Sequence, residues 1–267
     1  MYPLRYLPSG YVFIDPEDDC DRLVDALLAT DYNEEFCLAP FVHDEQDPGP
    51  DFISRLMGAG FLVMSIELKD DTGGDNKKTG SNGEDSNEVK KSEGEDTEVP
   101  QPFYILLPKL HLVRSALFFP ELHIKKSIHR FLSQYELRVN TDFDLILDKC
   151  VQIHGAEWLT PPLAGILKSM KNQRNKRAVP VSFGVYREGE LKAGEIGVVM
   201  GRVYTSYSGY YEEKNAGTVQ MILMAQWLNK TGFAFLDFGM PLDYKTALGA
   251  QNITPRRFVE LFRAGRY

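Results

Sequence analysis

Asp237 stands inside an apolar run, "FAFLDF", that reads as a strand, and the chain turns at "GMP" directly afterwards. An ionised carboxylate among apolar side chains is costly unless a partner neutralises it or a reaction uses it. The C-terminal end of a strand is where loops of mixed and parallel sheets build sites. The residue alone allows two roles: a proton acceptor, or a carboxylate that caps the turn by accepting backbone N–H groups. Tyr204, Tyr207, Tyr210 and Tyr211 crowd another strand and its turn, with Ser206 and Ser208 between them. Strict alternation would put Tyr204, Ser206, Ser208 and Tyr210 on one face. Such a wall could hold an apolar side chain or stack a nucleobase, and tyrosines on a half-exposed sheet explain it equally well. Trp158, in "AEWLT" between two helices, is either a stacking platform or a core residue.

Several chemistries are absent. The histidines at 43, 111, 123, 129 and 154 show no metal-ligand spacing, and no G-x-S-x-G, P-loop or Rossmann fingerprint occurs. Neither metal nor cofactor is expected. Where a CoA-dependent acetyltransferase would carry a Gly-rich pyrophosphate loop, "EEKNAGTV" opens with two acids, which weighs against acetyl-CoA. Cys20, Cys37 and Cys150 leave one thiol unpaired in any disulfide scheme, so a reduced, intracellular protein is expected. No apolar run reaches the roughly 18 residues of a membrane span, and no signal-peptide pattern opens the chain. The expectation is a cytoplasmic monomer with no membrane partner.

The elements that must position these residues fall into two unequal parts. Residues 69–100 are almost devoid of apolar side chains and rich in Gly, Ser, Asp, Glu and Lys. That composition predicts a disordered acidic insertion between a small N-terminal part, 1–68, and a larger domain, 101–267. In the first part "GYVFI" reads as a strand, Cys20 to Ala29 as a helix, and "PDFISRLMGAGFLVMSIEL" as helix, turn and strand. In the second, "PFYILLP", "VRSALFF" and "YELRVN" are β-like and "LHIKKSIHRFL" is helical with a basic side. Thr141 can cap the helix "DFDLILDKCVQIH" that Gly155 ends, and two prolines open another in "TPPLAGILKSMKNQ". Then come three strands, a helix from about Asn215, the strand of Asp237 and a final helix headed by Pro255. A mixed sheet covered by helices follows, an α+β fold with the strand order of GNAT-type acyltransferases.

The net charge of −8 is unevenly spread, at −11 over residues 1–68, −5 over 69–100 and +8 over 101–267. A basic C-terminal part admits a polyanion partner, and positives scattered over solvated helix faces are the plainer alternative.

From about Arg114 onward the chain resembles the leucyl/phenylalanyl-tRNA–protein transferase family. "FFPELHIKKSIHRFL", "YELRVNTDFDLILDKCV", "EWLT", "FGVYREGELKAGEIGVVMGRVY", "KNAGTV", "FLDFGMPLDYKTALGA" and "ITPRRFVELF" follow in family order. The resemblance implies transfer of Leu, Phe or Met from an aminoacyl-tRNA to the N-terminus of an acceptor protein, marking it for degradation. It places Trp158 on the 3′-terminal adenosine, Tyr204 and Tyr210 beside the aminoacyl pocket, and Asn215 at the start of the next helix. Met200 and Ser208 are further candidates for the substrate wall. Asp237 falls on the aspartate that orients a glutamine two residues on, a pair that draws a proton from the acceptor amine. Here Gly239 takes the glutamine position and Tyr244 that of a following histidine. Gly184 and Tyr207 replace two glutamates, Gly209 a methionine and Val63 a tryptophan. Asp237 alone, or Asp243 reaching back from the loop, is then the candidate catalytic group, and a drifted module that only binds is the other reading. Lys125, Lys126, Arg130, Arg256 and Arg257 are the positives expected on tRNA phosphates.

Overall fold

In the computed structural model of the protein, residues 2–30, 35–41, 49–68, 102–171 and 177–267 are described. The insertion at 69–100 and His43 lie outside them.

Among these residues two sheets form. The first joins β1 (Arg5–Tyr6), β2 (Val12–Phe13), β3 (Cys37–Phe41), β4 (Leu62–Leu68) and β5 (Phe103–Lys109) in the order β1-β2-β3-β5-β4. β5, which follows residue 101, pairs antiparallel with both β3 and β4. Alternation in "FYILLP" buries Tyr104, Leu106 and Pro108, which gives β5 one face to hide and fixes its register. Helix α1 (Cys20–Ala29) starts where the Asp19 carboxylate accepts the N–H groups of Asp21 and Arg22. It packs against α2 (Gly49–Ala59), which also covers β4.

The second sheet holds β6 (Arg114–Leu117), β7 (Glu136–Val139), β8 (Val179–Arg187), β9 (Glu190–Met200), β10 (Val203–Tyr211), β11 (Phe235–Gly239) and β12 (Gln251–Ile253). Their order is β12-β6-β11-β10-β9-β8-β7. β8, β9 and β10 form an antiparallel meander, and β11 runs parallel to β10. The α+β class is as expected. Helices α3 (Lys126–Leu132) and α6 (Ala216–Lys230) share one apolar core with this sheet. The helices α4 (Phe143–His154), α5 (Pro161–Met170) and α8 (Pro255–Gly265) share the other, which continues into the first sheet. A short helix, α7 (Asp243–Ala247), follows β11.

Local differences have simple causes. Thr141 does not cap α4; Asp142 precedes the helix without a side-chain cap bond, and its carboxylate accepts the Tyr186 hydroxyl instead. In α8 the Thr254 side chain accepts the Arg257 N–H and Pro255 opens the first turn, as the sequence implies. Strands β3 and β12 and helix α7 are too short for periodicity to signal.

One feature of the second sheet matters most for a site. β10 and β11 pair only from Val203–Thr205 to Phe235–Asp237. Beyond Thr205, β10 runs on to Tyr211 without β11 beside it, so the two parallel strands part and leave a notch.

Candidate active site

β10 carries a bulge between Ser206 and Ser208, so Tyr207 is an extra residue against β9. A bulge shifts the alternation by one. Tyr204 and Ser206 share a face with Gly197 and Val199, whereas Ser208 and Tyr210 pair with Ile196 and Gly194 on the other. The single wall expected from alternation is therefore split between the two faces. The displaced Tyr207 hydroxyl accepts the Val63 N–H at 2.9 Å and so ties β10 to β4.

Asp237 lies on the face that meets α8, fully buried beside Arg114. Arg114 donates from Nε to Oδ1 at 2.8 Å and from Nη2 to Oδ2 at 2.6 Å. The Thr205 hydroxyl donates to Oδ2 at 2.8 Å and the Gly239 N–H to Oδ1 at 2.9 Å. The guanidinium also lies 4.2 Å from the centroid of the Phe258 ring. A carboxylate has about four lone-pair sites, and here all are taken. Asp237 is thus a partner for a buried cation and the acceptor for its own turn. Its two oxygens are committed to these four donors.

Gly239 has φ of +71°, a left-handed conformation that side chains with a Cβ seldom adopt. A Cβ there would stand 3.6 Å from His111 Nε2. His111 is buried, and its pKa is pushed down to about 2 by burial and by the charges of Arg114, Lys109 and Lys245. Its ring is therefore neutral. At Gly184 a Cβ would press on the side chains of Leu191, Tyr186 and Ile146, so a glutamate there requires those neighbours to shift.

The notch between β10 and β11 opens into a cavity of about 570 Å³. Ser206 to Tyr211 line it from both faces of β10 past the bulge, the first turns of α6 (Asn215, Gly217, Thr218, Gln220, Met221) form another wall, and Phe238, Tyr244 and Lys245 a third. Four expected residues, Ser208, Tyr210, Asn215 and Tyr244, line it. Met200 does not: it pairs with Val203 at the β9–β10 hairpin and is 3% exposed. Tyr204 is also withdrawn, fully buried edge-on to Phe183 with 5.2 Å between ring centroids. Asp237 and Gly239 face the other side of the sheet, and Asp243 is exposed on α7 outside the lining. Trp158 is half-buried outside the lining, and its carbonyl accepts the Ser65 N–H at 2.9 Å.

Two ionisable groups missed in the sequence meet the cavity. Glu195, on β9, is 4% exposed and accepts the Tyr204 hydroxyl at 3.2 Å, with Ser206 and Gln220 beside it. Burial pushes its carboxyl up to about 7 against these hydrogen bonds. Lys245 donates to the carbonyls of Phe238 at 2.7 Å and Met240 at 2.9 Å, and burial draws its ammonium down to about 8. Glu195 carried the same signal as Asp237, a lone carboxylate inside an apolar strand, "GEIGVVM".

The expected phosphate-binding positives do not form one cluster. Lys125, Lys126 and Arg130 are exposed at α3. Arg130 lines a groove of about 590 Å³ with Arg187, Glu213, Lys214 and Asn215; Arg187 pairs with Glu213 at 2.6 Å, and Lys214 and Asn215 also line the notch cavity. Arg256 donates to the Leu28 carbonyl at 2.9 Å, and Arg257 pairs with Glu260 at 3.3 Å. Those two serve the seam between the parts of the chain and their own helix.

The family model for leucyl/phenylalanyl-tRNA protein transferase matches residues 116–263, and the chain belongs to that family. A relative carrying that name from Pseudomonas entomophila (strain L48) is 29% identical over 152 residues, 55% of this chain and 66% of the relative. One from Pseudomonas aeruginosa (strain LESB58) is 27% identical over 158 residues, 57% of this chain and 68% of the relative. The chain thus spans about two thirds of the length of the curated relatives it matches. Among solved structures, FemX overlaps at a TM-score of 0.43 with 10% identity, over 94% of this chain and 81% of that one.

Proposed function

We propose that the protein moves an aminoacyl group from an aminoacyl-tRNA to the N-terminus of an acceptor protein, with the reaction held in the notch between β10 and β11. The observation that carries the reading is the parting of two parallel strands over a cavity within the family-matched region. Strand order and notch together favour a GNAT-like layout for residues 114–267, with the first sheet as a separate smaller part. The groove at Arg130 and Lys214, where Arg187 is already paired with Glu213 at 2.6 Å, reaches the cavity through Lys214 and Asn215. It is the track we assign to the phosphates of the tRNA 3′ end, with Lys125 and Lys126 alongside. Trp158 is a candidate for stacking on the terminal base.

In the reaction the acceptor nitrogen attacks the ester carbonyl. A C–N bond forms as the C–O bond to the ribose breaks, and the amine proton passes to the departing ribose oxygen. An α-amino group has an ordinary pKa of about 7.7–8.0, so much of it is neutral near pH 8. Holding amine and ester together can then supply most of the rate without a dedicated base. Asp237 acts as a positioning residue that fixes the end of β11. Transfer should rise with pH and level off above about 8, read as product per minute by mass spectrometry.

A second reading, a module that binds the tRNA end or a protein N-terminus without catalysis, is favoured by the committed Asp237 oxygens and by Gly239. Incubation with a charged tRNA pool and peptides of varied N-terminus separates the two. Extension by one residue supports transfer; tight binding without extension supports the module.

A further inference from the structure

Glu195 sets the character of the cavity. Glu195 is 4% exposed at the junction of β9, β10 and α6, and its carboxyl is held by hydrogen bonds from three neutral side chains, Tyr204 at 3.2 Å, Ser206 and Gln220. That arrangement is built rather than accidental. The Tyr204 ring can lie across β9 only because Gly197 has no Cβ, which would run into the Tyr204 hydroxyl and the Thr205 carbonyl. The cation facing Glu195 is Lys245, and its ammonium is spent on the carbonyls of Phe238 and Met240. The other titratable groups that face it, Tyr204, Tyr244 and Cys150, carry no positive charge.

An apolar ligand end in this cavity would bury the ionised carboxylate with neutral donors alone and no bonded cation, which is unfavourable. An ammonium or guanidinium would pair with it and gain a charge-assisted hydrogen bond. Sites built around a buried polar group reject analogues that cannot satisfy it far more strongly than apolar pockets reject a lost methylene.

We propose that the cavity receives an aminoacyl side chain ending in a cation, of the Lys or Arg class, and that Glu195 at its floor is the specificity-determining residue. The proposal rests on the transfer reading above for the identity of the ligand as an aminoacyl group. Phe238, Met221 and Tyr210 supply an apolar sleeve for the methylene stem of such a side chain, and the charged end meets Glu195.

The test uses the full chain and two readouts. In the first, 3′-aminoacylamido-adenosines carrying Arg, Lys, Leu or Phe are titrated calorimetrically. Arg or Lys should bind at least roughly 100-fold tighter than Leu or Phe, and Glu195→Gln should erase that ratio while thermal unfolding shows the variant folded. In the second, tRNAs charged with each of the four are offered with a peptide library covering every N-terminal residue. Wild type should append Arg or Lys, and Glu195→Leu should shift the product towards Leu or Phe. Equal or tighter binding of the Leu and Phe compounds overturns the proposal, as does a ratio unchanged in Glu195→Gln. Selective binding without extension from any tRNA overturns the transfer reading and leaves the cation site standing. Extension by Leu or Phe alone does the reverse.

Discussion

Removing the Asp237 carboxylate would leave the Arg114 guanidinium, 1% exposed, without its partner in the core. Breaking a buried pair on one side typically costs about 3–5 kcal/mol, whereas replacing both members with apolar residues is often neutral. Asp237→Ala should therefore lose several kcal/mol in urea unfolding, and the double variant Arg114→Met with Asp237→Leu should recover most of it. A loss of activity in the single variant alone is thus no sign of a catalytic base. Glu195 behaves differently. Its folded pKa is raised from the ordinary value of 4.5 to about 7, so its favourable contribution is complete below pH 4.5 and lost as pH rises through about 7. The loss should reach roughly 3 kcal/mol by pH 8. Glu195→Gln removes it, so the gap in melting temperature between variant and wild type should open between pH 4.5 and 7. Lys245, lowered from 10.5 to about 8, loses its contribution as pH falls through about 8 and stays charged across the lower window. A gap that is flat with pH would contradict the burial of an ionising Glu195.

At the scale of single elements, β9 and β10 depend on a close approach. Gly197→Ala would push the Tyr204 ring off β9 and should cost about 1–3 kcal/mol, with the Glu195 carboxylate losing its donor. Chemical denaturation measures the cost, and an unchanged midpoint would show that the ring has room to move. The same region marks how far the sequence could be read. The meander, the α6 helix and the strand of Asp237 were legible from alternation, capping residues and flanking glycines. The face assignment along β10 was not, because one extra residue at Tyr207 inverts the phase and no local signal announces a bulge. The partner of Asp237 was equally hidden: Arg114 stands 123 residues away in sequence, and only the β6–β11 pairing brings it near. Glu195 carries the same local signal as Asp237, a lone carboxylate inside an apolar strand.

Across the whole molecule, the charge asymmetry is partly internal complementarity. Arg263 pairs with Asp25 at 2.6 Å, and Arg266 binds Asp21 through both oxygens at 2.7 and 2.9 Å, joining α8 to α1. The Arg266 side chain is 9% exposed and that of Arg257 is 58% exposed. Arg266→Ala should therefore destabilise by about 2 kcal/mol, while Arg257→Ala should stay within about 0.5 kcal/mol. Lys125, Lys126 and Arg130 are exposed at α3, and Arg130 also lines the groove that reaches the notch. Removing Lys125, Lys126 and Arg130 together should flatten the salt dependence of tRNA binding by up to about three counterions. The central claim, that transfer occurs in the notch, is tested most directly by filling it. With charged tRNA and acceptor peptide, Met221→Trp should cut extension at least roughly 100-fold with the fold intact, and Asp243→Ala should leave it unchanged. Full-rate extension by a folded Met221→Trp would contradict the account.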